Sequence, residues 1–307
     1  MYLGFSFLII SIVLSLVYVT LFYDNNNNQI LQLGNIHLVP NVEADMGSAR
    51  TKIEIDENGV LAVDYHGVQR KVYNPLTVAS GALKYYTDYV KDKEDKEQSK
   101  NKFISSADWL VKNANNKGEY SLWEYEYPWM FYGWISSPYS SALAQAKGLQ
   151  VLTLAYELTG NEKYLDVAKK IIRSFLVDYD EGGFVTYEGI GNNSLFLHIL
   201  AKPNFQKTYV LNGHTQSLLS IWSYYEKTKD PVAKIIFDKG INYLKENLAK
   251  YDTGYWSYYD LMENWTMRDY QKGQVQQLKS LYQISKEPIL KNYADRFEKY
   301  LKYSSLE

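Results

Sequence analysis

Apolar positions follow two rhythms along this chain, after an opening run that follows neither. Residues 3–23 pass 21 positions without a charge, and ~20 apolar residues span a bilayer core. The run lacks the small-residue cleavage site of a secretory signal. It is therefore expected to be an uncleaved transmembrane signal-anchor over 1–24, with a cleaved signal peptide as the alternative. Polarity returns at once with Asp24 and Asn25–Asn28, opening a stalk that continues to about residue 50. Residues 51–75 then alternate, with Ile53 and Ile55 before Asn58-Gly59 and Val60 and Ala62 around and after it. Period two flanking Asn-Gly predicts a β-hairpin.

From Pro75 the period lengthens to that of a helix. Eight segments carry it: 76–92, 97–115, 139–159, 162–177, 212–228, 231–249, 271–285 and 288–303. They come in pairs, and the short polar joints resemble one another: Tyr156-Glu-Leu-Thr-Gly-Asn-Glu, Tyr225-Glu-Lys-Thr-Lys-Asp-Pro and Tyr282-Gln-Ile-Ser-Lys-Glu-Pro, with a looser copy at Tyr89. Pro231 and Pro288 fall in the first turn of the next helix, where a missing N–H costs nothing. Two helices per repeat predict a mainly α fold, an incomplete α/α toroid of about four hairpins over 76–307 with one set of helices inside and one outside. An open solenoid is the alternative. In the toroid the long connections 116–138, 178–211 and 250–270 gather at one end, and long connections carry function.

Composition narrows the chemistry. The net charge of −2 gives no pull toward nucleic acid, and the absence of cysteine excludes disulfides and thiol chemistry. The four histidines, His37, His66, His198 and His214, are scattered, which argues against a histidine metal site. A metal is therefore not expected. Tyrosine is the outlier, with 30 copies. It concentrates in residues 251–270, where seven of twenty residues are Tyr or Trp. Aromatic faces suit the apolar faces of sugar rings, and phenols bond hydroxyls or, with a tuned pKa, move protons. A second lining is Trp123-Glu-Tyr-Glu-Tyr-Pro-Trp-Met-Phe-Tyr-Gly-Trp134. Alternation there predicts rings on one face and Glu124 and Glu126 on the other. Asn212 precedes an apolar run and is expected to cap its helix.

Four ordered strings carry a family resemblance. They are Tyr73-Asn-Pro-Leu-Thr-Val-Ala79, Tyr139-Ser-Ser-Ala-Leu-Ala-Gln145, Tyr209-Val-Leu-Asn-Gly213, and Tyr251-Asp-Thr-Gly254 followed by Tyr258-Tyr-Asp-Leu261. Together they resemble the D-glucuronyl C5-epimerase family, especially its C-terminal helical domain. The resemblance implies an α/α toroid and an isomerase that acts on hexuronic acid residues inside a glycan. In that chemistry a base takes the C5 proton, the carbanion is held as an enolate-like carboxylate, and an acid returns a proton from the other face, so the resemblance implies no organic cofactor.

It also implies that Tyr259 and Tyr270 bind substrate and exchange protons. Arg268 is a candidate clamp for the uronate, and Gln145 is expected at the mouth. Tyr258, Trp123, Tyr127 and Trp134 are candidate sugar-stacking or binding residues. The sequence departs from the family pattern where a Glu-Tyr-Pro string is expected before Val210: Ala201-Lys202-Pro203 stands there. A gapped reading puts Tyr187 and Glu188 in that role, and Lys202 or His198 are candidate substitutes. Met262 and Gln271 stand where the family has Arg and His. These departures keep other readings open: a lyase or glycoside hydrolase on the same scaffold, drawing on Glu124, Glu126, Glu188 and Asp260, or a glycan-binding protein without activity. The expected partner is a uronic-acid glycan. The soluble part is expected outside the cytoplasm, tethered by the single pass, with the 52–73 hairpin as a candidate homodimer interface.

Overall fold

The computed structural model describes residues 31–33, 36–38, 51–65, 69–91 and 95–303. The expected anchor over 1–24 and most of the stalk lie outside them. Among the described residues no helix is long and apolar enough to cross a membrane. Among the described residues the fold is mainly helical.

β1 (Leu31–Leu33) and β2 (Ile36–Leu38) form an antiparallel pair. β3 (Thr51–Ile55), β4 (Leu61–Tyr65) and β5 (Gln69–Val72) form a three-stranded sheet, in which Ile53 faces Val63. The Asn58-Gly59 turn is where the alternation placed it. Asp56 Oδ1 accepts from the N–H groups of Asn58 and Val60 (2.9 and 2.8 Å), and Gly59 takes φ +84°. The third strand extends the expected hairpin.

Eight helices follow among the described residues: α1 (Pro75–Val90), α2 (Lys96–Lys112), α3 (Ala142–Thr159), α4 (Glu162–Ser174), α5 (Leu211–Thr228), α6 (Pro231–Asn247), α7 (Arg268–Ser285) and α8 (Pro288–Tyr303). Between α2 and α3 lie the short strands β6 (Asn115–Asn116), β7 (Ser121–Leu122), β8 (Trp129–Met130) and β9 (Trp134–Ile135). The hairpin of β10 (Val185–Glu188) and β11 (Ser194–Leu197) lies between α4 and α5.

The resemblance among three joints has a common physical cause. At the ends of α3, α5 and α7 the chain turns through a left-handed residue: Gly160, Lys229 and Lys286, at φ +68°, +56° and +59°. Each donates its N–H to the carbonyl of the repeated tyrosine, Tyr156, Tyr225 and Tyr282, at 2.7, 2.8 and 2.9 Å. Such αL residues satisfy carbonyls that a helix end leaves open. The hydroxyls of Thr159, Thr228 and Ser285 donate back four residues and accept from the N–H two residues on. Asn161 and Asp230 then cap the following helices through Lys163 N–H and Val232 N–H.

In two of the helix pairs, α3/α4 and α5/α6, the members differ in burial. In α3 every residue from Ala142 to Ala155 is buried, and in α5 every residue from Leu211 to Ile221. The even helices bury one stripe: Phe103, Ala107 and Leu110 in α2; Tyr164, Ala168 and Ile171 in α4; Ala233, Ile236, Phe237 and Leu244 in α6; Leu290, Ala294 and Phe297 in α8. Spacings of three and four are the mark of a one-sided helix.

The chain divides into two compact units. One takes the described residues 51–140 and 147–174, the other 31–38, 141–146 and 175–303. In the first, Trp123 fills the space over Gly148, where an added Cβ would come within 2.3 Å of its ring. In the second, His214 and Phe196 stack at 4.6 Å in the core between β11, α5 and α6.

Candidate active site

The second unit holds most of the candidate residues. Its centre is the start of α5, residues 209–212, where backbone groups of the aromatic loop take the place of a side-chain cap. Val210 is the extended N-cap residue and supplies no side-chain bond. Instead Leu211 N–H donates to Tyr259 O (3.0 Å). The expected cap, Asn212, lies inside the first turn, because the helix begins one residue earlier. Its amide donates to Tyr270 O at 3.0 Å. Leu211 and Asn212 thus hold the backbone of both tyrosines to one helix end.

Tyr259 and Tyr270 meet edge to face, with ring centroids 5.6 Å apart and planes at 88°. Tyr259 is half-buried, whereas Tyr270 is 6% exposed with its hydroxyl enclosed. Tyr259 is therefore the member of the pair that solvent reaches. Tyr270 lies in the first turn of α7 with its ring turned inward.

The loop that carries Tyr259 is fixed from three directions. From α7, the buried glutamines Gln271 and Gln274 reach the Ser257 hydroxyl, which lies 3.0 and 2.7 Å from their Oε1 atoms. Gln274 also donates to Tyr258 O and Thr266 Oγ1. Gln277, one turn on, accepts from Thr215 (2.6 Å) and joins α7 to α5. From α8, Arg296 and Tyr300 hold the Asp252 carboxylate at 2.6 and 2.9 Å. Within the loop, Asp260 is fully buried and accepts from Met262 N–H, Asn264 N–H and the Asn264 amide. Burial holds its carboxyl up at about 6, with those bonds pulling the other way.

On the other flank of the α5 start stands Glu188, at the end of β10. Its carboxylate is near enough to the Tyr209 phenol to raise the phenol's pKa. Tyr209 has φ +55°, in the left-handed region that a bulky side chain enters only when its surroundings hold it there. Tyr251 contributes, donating its hydroxyl to Tyr209 O at 2.8 Å. Burial raises the Tyr209 phenol and the Glu188 carboxylate raises it further; burial likewise raises Tyr243 and Tyr251. These phenols stay protonated at neutral pH, so they can donate a proton and are unsuited to removing one.

The remaining candidates have other surroundings. Tyr187 lies under Lys239, whose ammonium is 5.1 Å from its ring centre. Its phenol is also raised by burial. Arg268 is exposed at the start of α7 and donates to Leu301 O (3.2 Å). Lys202 is half-buried and opens a turn in which its carbonyl accepts from Phe205 N–H. Gln145 is fully enclosed in α3, not at a mouth. Tyr258 is half-buried against Trp265, at 6.1 Å and 74°. His198 and His214 are enclosed core groups whose imidazoles burial pushes down to about 3, which leaves both neutral at pH 7. His214 Nδ1 accepts from Leu197 N–H, so its other nitrogen carries the proton toward Gly240 O.

In the first unit, the 123–134 segment alternates as expected. Trp123, Tyr125, Tyr127, Trp129 and Phe131 are buried, while Glu126 is exposed. The rings face the core, so Trp123 and Tyr127 offer no open face to a sugar. Trp123, 1% exposed, donates its indole N–H to Leu110 O. Trp134, 59% exposed, is the candidate here that faces solvent. Glu124 is held by Lys117 and Asn115.

Sequence reasoning missed the role of Tyr209 and the stripe Gln271, Gln274, Gln277. The signal for the stripe was present: three glutamines at i, i+3 and i+6 share one helix face.

Comparison with known proteins bears on this arrangement. The pattern describing the D-glucuronyl C5-epimerase C-terminus matches residues 115–299, more than half of the chain. An uncharacterised protein of Methanocaldococcus jannaschii is 30% identical over 254 residues, covering 77% of this chain and 82% of that one. The D-glucuronyl C5-epimerase of Caenorhabditis elegans is 31% identical over 222 residues, 66% of this chain but 35% of the worm protein. Among solved structures, a D-mannose isomerase aligns over 80% of this chain and 65% of its own, with 15% identity and a TM-score of 0.48. The matched region contains the α5 start, the aromatic loop and both of its tyrosines, and the chain belongs to the D-glucuronyl C5-epimerase family through its C-terminal domain.

Proposed function

We propose that the protein is an isomerase that inverts C5 of hexuronic acid residues within a glycan, by removing and returning a proton. One observation carries this reading: Tyr259 and Tyr270, eleven positions apart, stand ring against ring with both carbonyls bound at the start of α5. A weakly acidic C–H requires a proton-transfer group held within hydrogen-bond reach, and a rigid mount supplies that. Tyr259 acts as its phenolate, taking the C5 proton on one face of the sugar and becoming the phenol, and Tyr270 sets its orientation from behind. The Tyr209–Glu188 pair is the second proton-transfer element. Its phenol is kept protonated and serves as the acid. Arg268 is the candidate partner for the substrate carboxylate.

The wider reading places these residues on an α/α toroid, supported by the enclosed helices α3 and α5 set beside the one-sided α4 and α6. It keeps residues 3–23 as a membrane anchor with the remainder outside the cytoplasm, and the 52–73 hairpin as a dimer contact.

The test is incubation of the full-length protein with glucuronic-acid polysaccharides in D₂O, read by NMR. The expected result is deuterium at C5 in an intact chain, lost in Tyr259→Phe. Unsaturated chain ends would show elimination and turn the assignment to a lyase. Shortened chains without unsaturation would turn it to a hydrolase. Absence of deuterium from every uronan that the protein binds would overturn the catalytic reading.

A further inference from the structure

The loop that positions Tyr259 also presents a group of outward rings that the proton-transfer chemistry does not use. Tyr255 is 65% exposed and Trp265 is 53% exposed. Their centroids are 5.5 Å apart with planes at 46°, and Tyr258 closes edge-on against the indole. Met262 and Met267, 46% and 48% exposed, belong to the same loop.

Large exposed rings usually sit on segments that can fold them away. These cannot be folded away without breaking a dense set of bonds. Tyr258 and Trp265 form an antiparallel bridge. Thr253 and Trp256 are bonded to each other through backbone and hydroxyl. Trp256 donates its indole N–H to Thr266 O at 2.6 Å. Beneath them, the Ser257 and Thr266 hydroxyls are gripped by Gln274. The entropy of ordering these rings has thus been met by the fold, and a ligand meets a surface already in shape.

We propose that Tyr255 and Trp265 form a stacking platform for pyranose rings of the glycan chain outside the residue being turned over. Three observations select that occupant. The first is size: the two rings expose on the order of 250 Å². A stable protein interface needs about 800 Å² on each side, whereas one or two sugar rings match the smaller figure. The second is chemistry. A tilted Tyr/Trp pair offers apolar faces for the C–H side of a sugar, with the Tyr255 hydroxyl at the edge for a polar contact. The third is continuity: the platform lies on the same hydrogen-bonded loop as Tyr259. Charges nearby in the chain are mixed, Glu263 and Asp269 with Arg268 and Lys272, and Lys272 is paired with Asp269. Stacking, not charge, is therefore the main source of grip.

The inference rests on the epimerase reading for the identity of the glycan, but its test is separate. Full-length protein, Trp265→Ala, Tyr255→Ala and Trp265→Phe are compared by affinity electrophoresis in hyaluronan, chondroitin and alginate gels, and by intrinsic fluorescence with hyaluronan oligosaccharides of increasing length. The exposure of both rings makes these variants compatible with folding, and circular dichroism checks it. Expected is retardation of the wild type by at least one uronan, weakened about tenfold in each alanine variant, with Trp265→Phe largely restored. The loss should grow with oligosaccharide length. Equal affinity of wild type and both alanine variants would overturn the platform, as would a wild type that binds none of the three uronans. Tyr259→Phe separates the two ideas: it should abolish C5 exchange while leaving the retardation in place. Retardation without any exchange in the wild type would sink the catalytic reading and leave the platform standing.

Discussion

Residues 123–134 and 251–270 are similarly rich in tyrosine and tryptophan, yet they put those rings to opposite uses. In the first, odd positions point inward: Trp123, Tyr125, Tyr127, Trp129 and Phe131 are buried. In the second, small polar groups point inward. Ser257, Asp260 and Thr266 are buried, while Tyr255 and Trp265 stand outside. Composition does not separate the two segments. What each meets beneath it does. Trp123 meets the bare backbone of Gly148, which leaves room for an indole. The 251–270 loop meets Gln271 and Gln274, which offer hydrogen bonds. A buried amide demands polar partners, so the loop turns its hydroxyls down and its rings up.

Truncation should separate the segments most sharply. Trp123→Ala removes a fully buried indole and strands Leu110 O, which should cost about 3–5 kcal/mol. Trp265→Ala should cost no more than about 0.5 kcal/mol, as for an exposed site. Urea unfolding of both variants measures the difference, and equal losses would erase the contrast.

The polar loop should also carry its own pH dependence. Burial raises the folded-state Asp260 carboxyl to about 6, above its ordinary value of 3.8. The folded chain then holds this proton more tightly than the unfolded chain does. The corresponding stability is present below about pH 4 and is lost as pH rises toward 6, at about 1.4 kcal/mol per pH unit. In Asp260→Asn the urea midpoint should lose this slope.

Removing the grip beneath the rings is a milder test. Gln274→Leu takes bonds from Ser257, Thr266 and Tyr258 O together, and should cost about 1–2 kcal/mol. Amide hydrogen exchange should quicken across 255–267 and stay unchanged across 123–134.

A smaller effect than that of Gln274→Leu is expected at Gly254. Gly254 has open space around its Cβ position and φ +89°, so Gly254→Ala should cost about 1 kcal/mol from backbone strain alone. Gly148→Ala should cost more than that, because its new methyl meets the Trp123 ring. A reversed order would show that ring packing does not govern the first segment.

Much of this was written locally. Eight helices, the Asn58-Gly59 turn and the ring alternation of 123–131 follow from periods of 3.6 and 2, which a short window of sequence contains. The three matching joints also belong here. Tyr156, Tyr225 and Tyr282 recur because each closes a left-handed turn four residues on, and the neighbouring hydroxyl repeats with it. The family was legible in the order of four strings.

The site was not local. Asn212 read as a cap, but the cap came from Tyr259 O, 48 positions away, and freed the asparagine to hold Tyr270. Trp123 and Gln145 read as binding residues, and burial in the first unit and in α3 took them inside. Glu188 and Tyr209 are brought together by the β10–β11 hairpin folding back on the α5 start. The physical reason is range. Periodicity and caps act over a few residues and leave a trace in sequence. Which hydroxyl is enclosed, which ring is bared and which carboxylate meets which phenol depend on desolvation and hydrogen bonding between distant segments, and only the folded chain decides them.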